Sequence, residues 1–255
     1  VGIHVELRGE GADAMLLLHG ISATGAVWRR AVAELESLWE GAIVVCDLPG
    51  HGASSSLARY TYDTIAAAVT ECLPACARLV VAGHSYGGLI AVQLASGRFG
   101  VTPAAVVASS VKVRWTADEL AAMAAFASKP ARLFDTFDEA QDRYRKVSGL
   151  TPDVTDDPAD LARGVVAVGD QFRLSQDPAT GSVGEPDMAA ALASAQCPVL
   201  LSRGVTDRMV SDDDLGAFGV PTSTIGEAGH NVHVEQPARF ARTVVEFAAS
   251  VNSPS

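Results

Sequence analysis

Aromatic residues are scarce, 6% of 255 positions, which leaves little stacking surface for single-stranded nucleic acid. Basic residues are scarce too. The 19 Lys and Arg stand against 30 Asp and Glu, a formal net charge of −11, and with no basic patch in the sequence a phosphate backbone would be repelled. Long apolar runs are missing. The stretch Met15–Leu18 falls far short of the roughly 20 residues a membrane span needs, and the opening Val1-Gly2-Ile3-His4-Val5 carries no basic leader. Cysteines number four, Cys46, Cys72, Cys76 and Cys197, at spacings that fit neither a disulfide framework nor a zinc ribbon. Pro74 separates Cys72 from Cys76 and no further ligands follow nearby, so structural thiols and no metal are expected. These absences predict a soluble chain of the reducing cytoplasm that binds neither nucleic acid nor membrane and acts as a monomer or small homo-oligomer.

Apolar residues are plentiful, 48% against 19% charged, enough to offset the chain entropy lost on folding. At this length one core with an inserted elaboration is expected. Apolar runs read as strands at Ile3-Val5-Leu7, Met15–Leu18, Ala42–Cys46, Leu79–Ala82, Ala104–Ala108, Pro198–Ser202 and Pro221–Ile225. They alternate with helical periodicity over Gly25–Trp39, Tyr62–Leu73, Leu89–Ala95, Ala189–Ala195 and Pro237–Ser250. Continuous apolar strands alternating with amphipathic helices predict an α/β fold, a mostly parallel central sheet with helices on both faces. From about Val111 to Pro186 the charge rises, and helical patterns follow one another over Thr116–Ser128, Arg132–Val147 and Pro158–Arg173 without a strand between them. Pro130, Pro152 and Gln176-Asp177-Pro178 punctuate them, and Asn252–Ser255 reads as a disordered tail. The expected division is a core of 1–110 with 187–255 and a helical cap of 111–186.

Gly83-His84-Ser85-Tyr86-Gly87 sits directly between a strand and a helix. That setting defines a nucleophile elbow, a sharp turn that lifts a serine hydroxyl above the sheet edge, with glycines that permit close backbone approach. Ser85 also stands at a helix N-terminus, where free amides favour developing negative charge. A serine nucleophile needs a base, and the base an orienting acid, in the chain order Ser, acid, His. His230, after Gly229 in the loop that follows Pro221–Ile225, is the candidate base. His233 competes, but it falls closer to the last helix, where a surface position is expected. His4, His19, His51 and His84 all precede Ser85 and break the order.

The acid belongs after Pro198–Ser202, where the loop offers Asp207. Asp212, Asp213 and Asp214 follow Ser211 as a run better explained by helix capping, and the loop after Ala104–Ala108 holds no carboxylate. Two backbone N–H groups must receive an oxyanion. Tyr86 supplies one, and Ile21, in the His19-Gly20-Ile21 turn, is assigned the other. The neighbouring Asp47-Leu48-Pro49-Gly50-His51-Gly52 reads as a structural turn.

With Leu18-His19-Gly20, Asp47–Gly52, Gly83–Gly88, Asp207-Arg208, Gly229-His230 and Glu235-Gln236-Pro237 in this order, the chain resembles the alpha/beta-hydrolase superfamily, in the branch with a helical cap between the sixth and seventh core strands. The resemblance spans nearly all of the core. It implies an alpha/beta-hydrolase fold and argues against related dehalogenases and epoxide hydrolases, which have aspartate at the place of Ser85, and dienelactone hydrolases, which have cysteine. The implied activity is a cofactor-free serine hydrolase cleaving an ester or lactone of a small hydrophobic substrate. Thioester, amide or carbon–carbon bond hydrolysis, a perhydrolase side activity and a ligand-capturing receptor are the alternatives. The cap carries Leu120, Met123, Phe126, Leu133, Phe134, Phe137 and Tyr144, more apolar bulk than short helices need. Phe126, Phe134 and Phe137, with Trp28 and Met209 from the core, are the expected substrate contacts, and the cleft is expected to be apolar with few charges.

Overall fold

The computed structural model describes residues 2–150 and 157–251; Pro152 and the Asn252–Ser255 tail lie outside the described residues. Strands β1 (Val5–Arg8), β2 (Asp13–Leu18), β3 (Ala42–Cys46), β4 (Arg78–His84) and β5 (Ala105–Ser109) come first. A separate hairpin of β6 (Val165–Val168) and β7 (Gln171–Leu174) follows. Strands β8 (Val199–Gly204) and β9 (Thr222–Ile225) complete a seven-stranded sheet in the order β1-β3-β2-β4-β5-β8-β9. All its pairs are parallel except β1 against β3. The helices are α1 (Arg29–Leu35), entered through a 3-10 turn at Gly25–Trp28, α2 (Tyr62–Thr70), α3 (Tyr86–Leu94), α4 (Ala117–Ala127), α5 (Phe137–Ser148), α6 (Pro158–Ala162), α7 (Met188–Ala193), α8 (Asp212–Gly216), α9 (Val232–Glu235) and α10 (Pro237–Ser250).

The central strands are buried on both faces, and their side chains alternate between two cores. Leu16, Leu18, Val44, Val81, Val106 and Leu201 pack with α2, α3, α7 and α8, whereas Met15, Leu17, Ile43, Val45, Val80 and Leu200 pack with α1 and α10. Parallel register brings the carboxyl ends of β2, β4, β5, β8 and β9 to one edge of the sheet, and the loops leaving that edge carry Ile21, Ser85, Asp207 and His230.

Between β5 and β8 the chain adds nothing to the main sheet. In chain order the insertion leaves the main sheet after its fifth strand, β5, and the sheet resumes at β8. The helix expected over Pro158–Arg173 stops at Ala162, and the chain instead turns through Gly169 (φ +60°) and Asp170 into the β6–β7 hairpin. A β-branched run followed by a two-residue Gly-Asp loop favours this outcome. Phe134 extends the hairpin by exchanging backbone hydrogen bonds with Phe172 at 2.8 and 2.9 Å. The helix expected from Arg132 accordingly begins at Phe137, where the Thr136 hydroxyl caps it by accepting from Glu139 N–H.

Candidate active site

Ser85 links β4 to α3 with φ +50° and ψ −112°, a conformation that costs a non-glycine residue about 1–3 kcal/mol. The surroundings leave little choice. A Cβ on Gly83 would lie 2.3 Å from the Gly87 carbonyl oxygen, and one on Gly87 would lie 2.3 Å from that of Leu18. Ser85 N–H donates to the Ser109 carbonyl at 2.8 Å, which ties the turn to β5. The serine itself is half-buried.

Asp207 and His230 meet. His230 Nδ1 lies 3.1 Å from Asp207 Oδ2, and the second carboxylate oxygen accepts from Met209 N–H at 2.8 Å. The Asp207 side chain is fully buried. Burial by itself would raise its pKa, but the hydrogen bonds from His230 and from Met209 N–H outweigh that penalty and hold it below the usual carboxylate range. An ionised carboxylate can only accept, so Nδ1 carries the proton and Nε2 is the nitrogen left to take one. The loops are joined by Thr206 N–H and its hydroxyl, which both donate to Ala228 O, and by Val205 N–H to Ile225 O.

His84 brings this pair to the elbow. Its Nε2 donates to the His230 carbonyl at 2.9 Å, and the two rings stand 5.0 Å apart. Burial, then the neighbouring His230, pushes the His84 pKa down to about 3, so the ring is neutral and bears a definite N–H. Its other side fills the space over Gly20, where a Cβ would come within 2.8 Å of Nδ1.

The Ile21 and Tyr86 N–H groups donate to no acceptor among the described residues. The loop bearing Ile21 is braced on both sides. His19 Nδ1 donates to Gly20 O and its Nε2 accepts from Leu48 N–H, a pairing only the neutral imidazole can make; burial lowers the His19 pKa accordingly. His51 accepts from Ser22 N–H and donates to Pro49 O, and burial takes its pKa to about 3. Asp47 anchors the loop that carries His51, accepting from Gly25 and Ala53 N–H and pairing with Arg163. Order in the sequence had set His51 and His84 aside, and nothing in their spacing announces their bracing contacts.

The acidic run after β8 is structural: Ser211 and Asp214 form a reciprocal cap for α8, and Asp212 holds Arg203 through both carboxylate oxygens. His233 is not at the surface. It is 1% exposed, between Trp28 and His84, because the single turn of α9 directs it inward.

A cleft of about 230 Å³ is lined by Ser22, the residue after Ile21, and otherwise by residues of the insertion; Ser85, Tyr86, Asp207 and His230 do not line it. Phe126, Phe134, Val147 and Leu174 form apolar walls. Trp28, expected at the substrate, is instead wholly buried against His233 and Phe240, because the 3-10 turn aims it into the α1–α10 core. Phe137 packs edge-on against Phe172 and Met209 is 47% exposed; neither lines the cleft. Tyr144 is buried with its hydroxyl on Thr24, while Leu120 and Met123 line a separate groove against Gly181. Lys129, Arg132 and Arg143 line this cleft as well, beside its apolar walls. Among the described residues no cluster of three or more His, Cys, Asp or Glu could hold a metal ion, and no helix is long and apolar enough to cross a membrane.

Comparison with known proteins agrees with this architecture. Residues 15–243 match the sequence model of the alpha/beta hydrolase family. A pimeloyl-acyl-carrier-protein methyl ester esterase of Chromobacterium violaceum is 30% identical over 257 residues, 96% of this chain and 98% of the relative. That of Vibrio vulnificus is 27% identical over 258 residues, with the same coverage. Among solved structures, a thioesterase domain from the curacin biosynthetic pathway superposes with a TM-score of 0.76 at 22% identity, covering 95% of each chain.

Proposed function

This chain belongs to the alpha/beta hydrolase family, and from that premise we propose that it is a serine esterase using Ser85 as nucleophile, His230 as base and Asp207 as orienting acid. The observation that carries the proposal is the His230–Asp207 hydrogen bond, held against the Ser85 elbow by the His84 clamp on the His230 carbonyl. In this reading residues 111–186 form the cap that selects the substrate, a carboxylic ester with a small, largely apolar acyl group. No cofactor enters the chemistry, and the enzyme works in the reducing cytoplasm as a monomer or small homo-oligomer. The names of the methyl ester esterase relatives favour an ester over a lactone, thioester, amide or carbon–carbon bond.

The reaction follows from the geometry. Ser85 Oγ bonds to the ester carbonyl carbon as its proton passes to His230 Nε2, and the imidazolium formed is stabilised by the Asp207 carboxylate. The carbonyl oxygen becomes an oxyanion received by Ile21 and Tyr86 N–H, each worth about 3 kcal/mol in the transition state. Collapse breaks the carbon–oxygen bond to the alcohol, which leaves with the proton from His230. Water then attacks the acyl-enzyme by the same path and restores Ser85. A fluorophosphonate probe should label Ser85, and Ser85→Ala should lower kcat on p-nitrophenyl esters by at least about a thousandfold. Labelling at another residue, or activity retained in Ser85→Ala, would refute the assignment.

A further inference from the structure

We propose that Gln176 is a positioning residue for the reaction, tying the cap to both backbone donors of the oxyanion hole, to Ile21 through Ser22 and to Tyr86 through Thr180. This deepens the esterase reading above and rests on it. Gln176 follows the β6–β7 hairpin and precedes a 3-10 turn at Pro178–Val183. It is 6% exposed, and Thr180 in that turn is wholly buried. Gln176 Oε1 accepts from the Ser22 hydroxyl at 2.6 Å, and its Nε2 donates to Thr180 Oγ1 at 2.9 Å. The Thr180 hydroxyl donates in turn to Asp177 O at 2.7 Å, and the Thr180 carbonyl accepts from the Tyr86 hydroxyl at 3.1 Å. Hydrogen bonds therefore run from the loop after β2, through the cap, to the first residue of α3.

Both ends of this chain need holding. Ala23 N–H donates to Gly20 O at 3.3 Å, closing a tight turn in which Ser22 stands third with φ +65°. Glycine takes that conformation freely, serine only under restraint. Two contacts restrain it, Ser22 N–H on His51 Nε2 at 3.3 Å and the Ser22 hydroxyl on Gln176. Ile21 N–H belongs to the same turn, so its direction depends on them. Tyr86 is buried, and its hydroxyl would be left unpaired at a cost if the Thr180 carbonyl moved away. Its ring, and with it the start of α3, is therefore coupled to the 176–180 segment. The segment itself is seated on the core: Asp177 N–H donates to Gly50 O at 2.7 Å, and the Tyr60 and Tyr62 hydroxyls donate to Asp177 Oδ2 at 3.0 Å and Gly184 O at 3.3 Å. Glutamine suits its place chemically. An amide accepts at one atom and donates at the other, as this pair of hydroxyls requires, whereas a carboxylate could only accept.

The test is a cycle of Gln176→Met, Ser22→Ala and the double variant on p-nitrophenyl acetate, whose acetyl group makes little demand on the cap. An oxyanion donor is worth roughly a hundred- to a thousandfold, and here it is misaimed and not removed, so Gln176→Met should lower kcat about tenfold with KM within about twofold. A trifluoromethyl ketone, which Ser85 would convert to a tetrahedral oxyanion, should bind more weakly by the same factor. Ser22→Ala should act in the same direction, and the double variant should stay within about twofold of Gln176→Met, because both cut one bond. Tyr62→Phe frees the same segment at Gly184 alone and should keep kcat and inhibitor affinity within about twofold of wild type, which separates positioning from mere loosening of the cap. Wild-type kcat and inhibitor affinity in Gln176→Met, or factors that multiply in the double variant, overturn the proposal. Should Gln176→Met fail to fold, Ser22→Ala decides by the same two measurements. Should the wild type cleave no ester, the esterase reading fails separately, and hydrogen exchange decides the link. In Gln176→Met the Ser22 and Ala23 amides, bonded to His51 and Gly20, should exchange faster while those of β2 and β4 do not change, and unaltered exchange at Ser22 and Ala23 refutes it.

Discussion

Acidification from pH 7.5 to 5 should destabilise this protein well before its carboxylates titrate, because its core holds neutral histidines. Burial, then proximity to His19, lowers the His51 pKa to about 3, and burial, then His230, does the same for His84. A histidine whose folded pKa lies below its unfolded value of 6.5 leaves the unfolded chain binding the extra proton between the two. Its contribution to stability is therefore complete above about pH 6.5 and is lost as pH falls. At pH 5 each of these two residues costs about 2 kcal/mol, so the pair removes about 4 kcal/mol from a stability typically of 5–15 kcal/mol. Burial lowers His19 and His233 as well, and they add in the same sense. Urea unfolding followed by far-UV circular dichroism at constant ionic strength should give a free energy that is flat above pH 7. Below pH 6 it should fall by at least about 2.7 kcal/mol per pH unit, the slope of two protons taken up on unfolding. His51→Gln, which can still accept from Ser22 and donate to Pro49, should remove about 1.4 kcal/mol per unit from that slope. A change below about 1 kcal/mol between pH 7.5 and 5, or a slope unaltered in His51→Gln, would refute the reasoning.

Ser85→Gly should abolish ester turnover yet raise stability by about 1 kcal/mol, because glycine relieves the φ of +50°; paired kinetics and thermal melts check both halves. Asp207→Asn should lower kcat by about four orders of magnitude through the wrong His230 tautomer, while Asp212→Asn stays within a few-fold of wild type in the same assay. His233→Leu should stabilise the fold by about 1 kcal/mol in denaturant titrations, since both ring nitrogens are buried without a hydrogen-bond partner among the described residues.

Much of the core was legible because β2, β3, β4 and β5 contain continuous apolar runs and the turns at the carboxyl ends of β2, β3 and β4 are marked by Gly, Pro or Asp. The elbow was legible for the same reason: Gly83 and Gly87 are demanded by backbone contacts that any residue with a Cβ would violate. The insertion was harder to read. Val165-Val166-Ala167-Val168 followed by Gly169-Asp170 is a hairpin signal, and counting apolar spacing through it as helix overrode that local chemistry. His233 misled because α9 is one turn long, too short for periodicity to assign a face.

Strain and buried imidazole collect at the same edge of the sheet. Among the described residues the non-glycine positions with positive φ are Ser22, Ser85, Ser110 and Glu227, in the loops that leave β2, β4, β5 and β9. Each costs on the order of 1–3 kcal/mol, a burden that only deeply buried parallel strands beneath them could offset. The neutral histidines stand over the same loops, His19 and His51 around Ser22, and His84 between Ser85 and His230. A neutral imidazole donates at one nitrogen and accepts at the other, so it can join two backbone segments that no helix or strand connects. Protonation removes the acceptor and places a charge in the core. The loops that aim Ser85, Ile21 and His230 are therefore the part of the molecule that acid should loosen first, and the loss of geometry at that edge should precede global unfolding. Hydrogen exchange at pH 5.5 tests the order: amides of residues 19–24 and 226–232 should lose protection before those of β2 and β4, and simultaneous loss would separate the strained edge from the acid response.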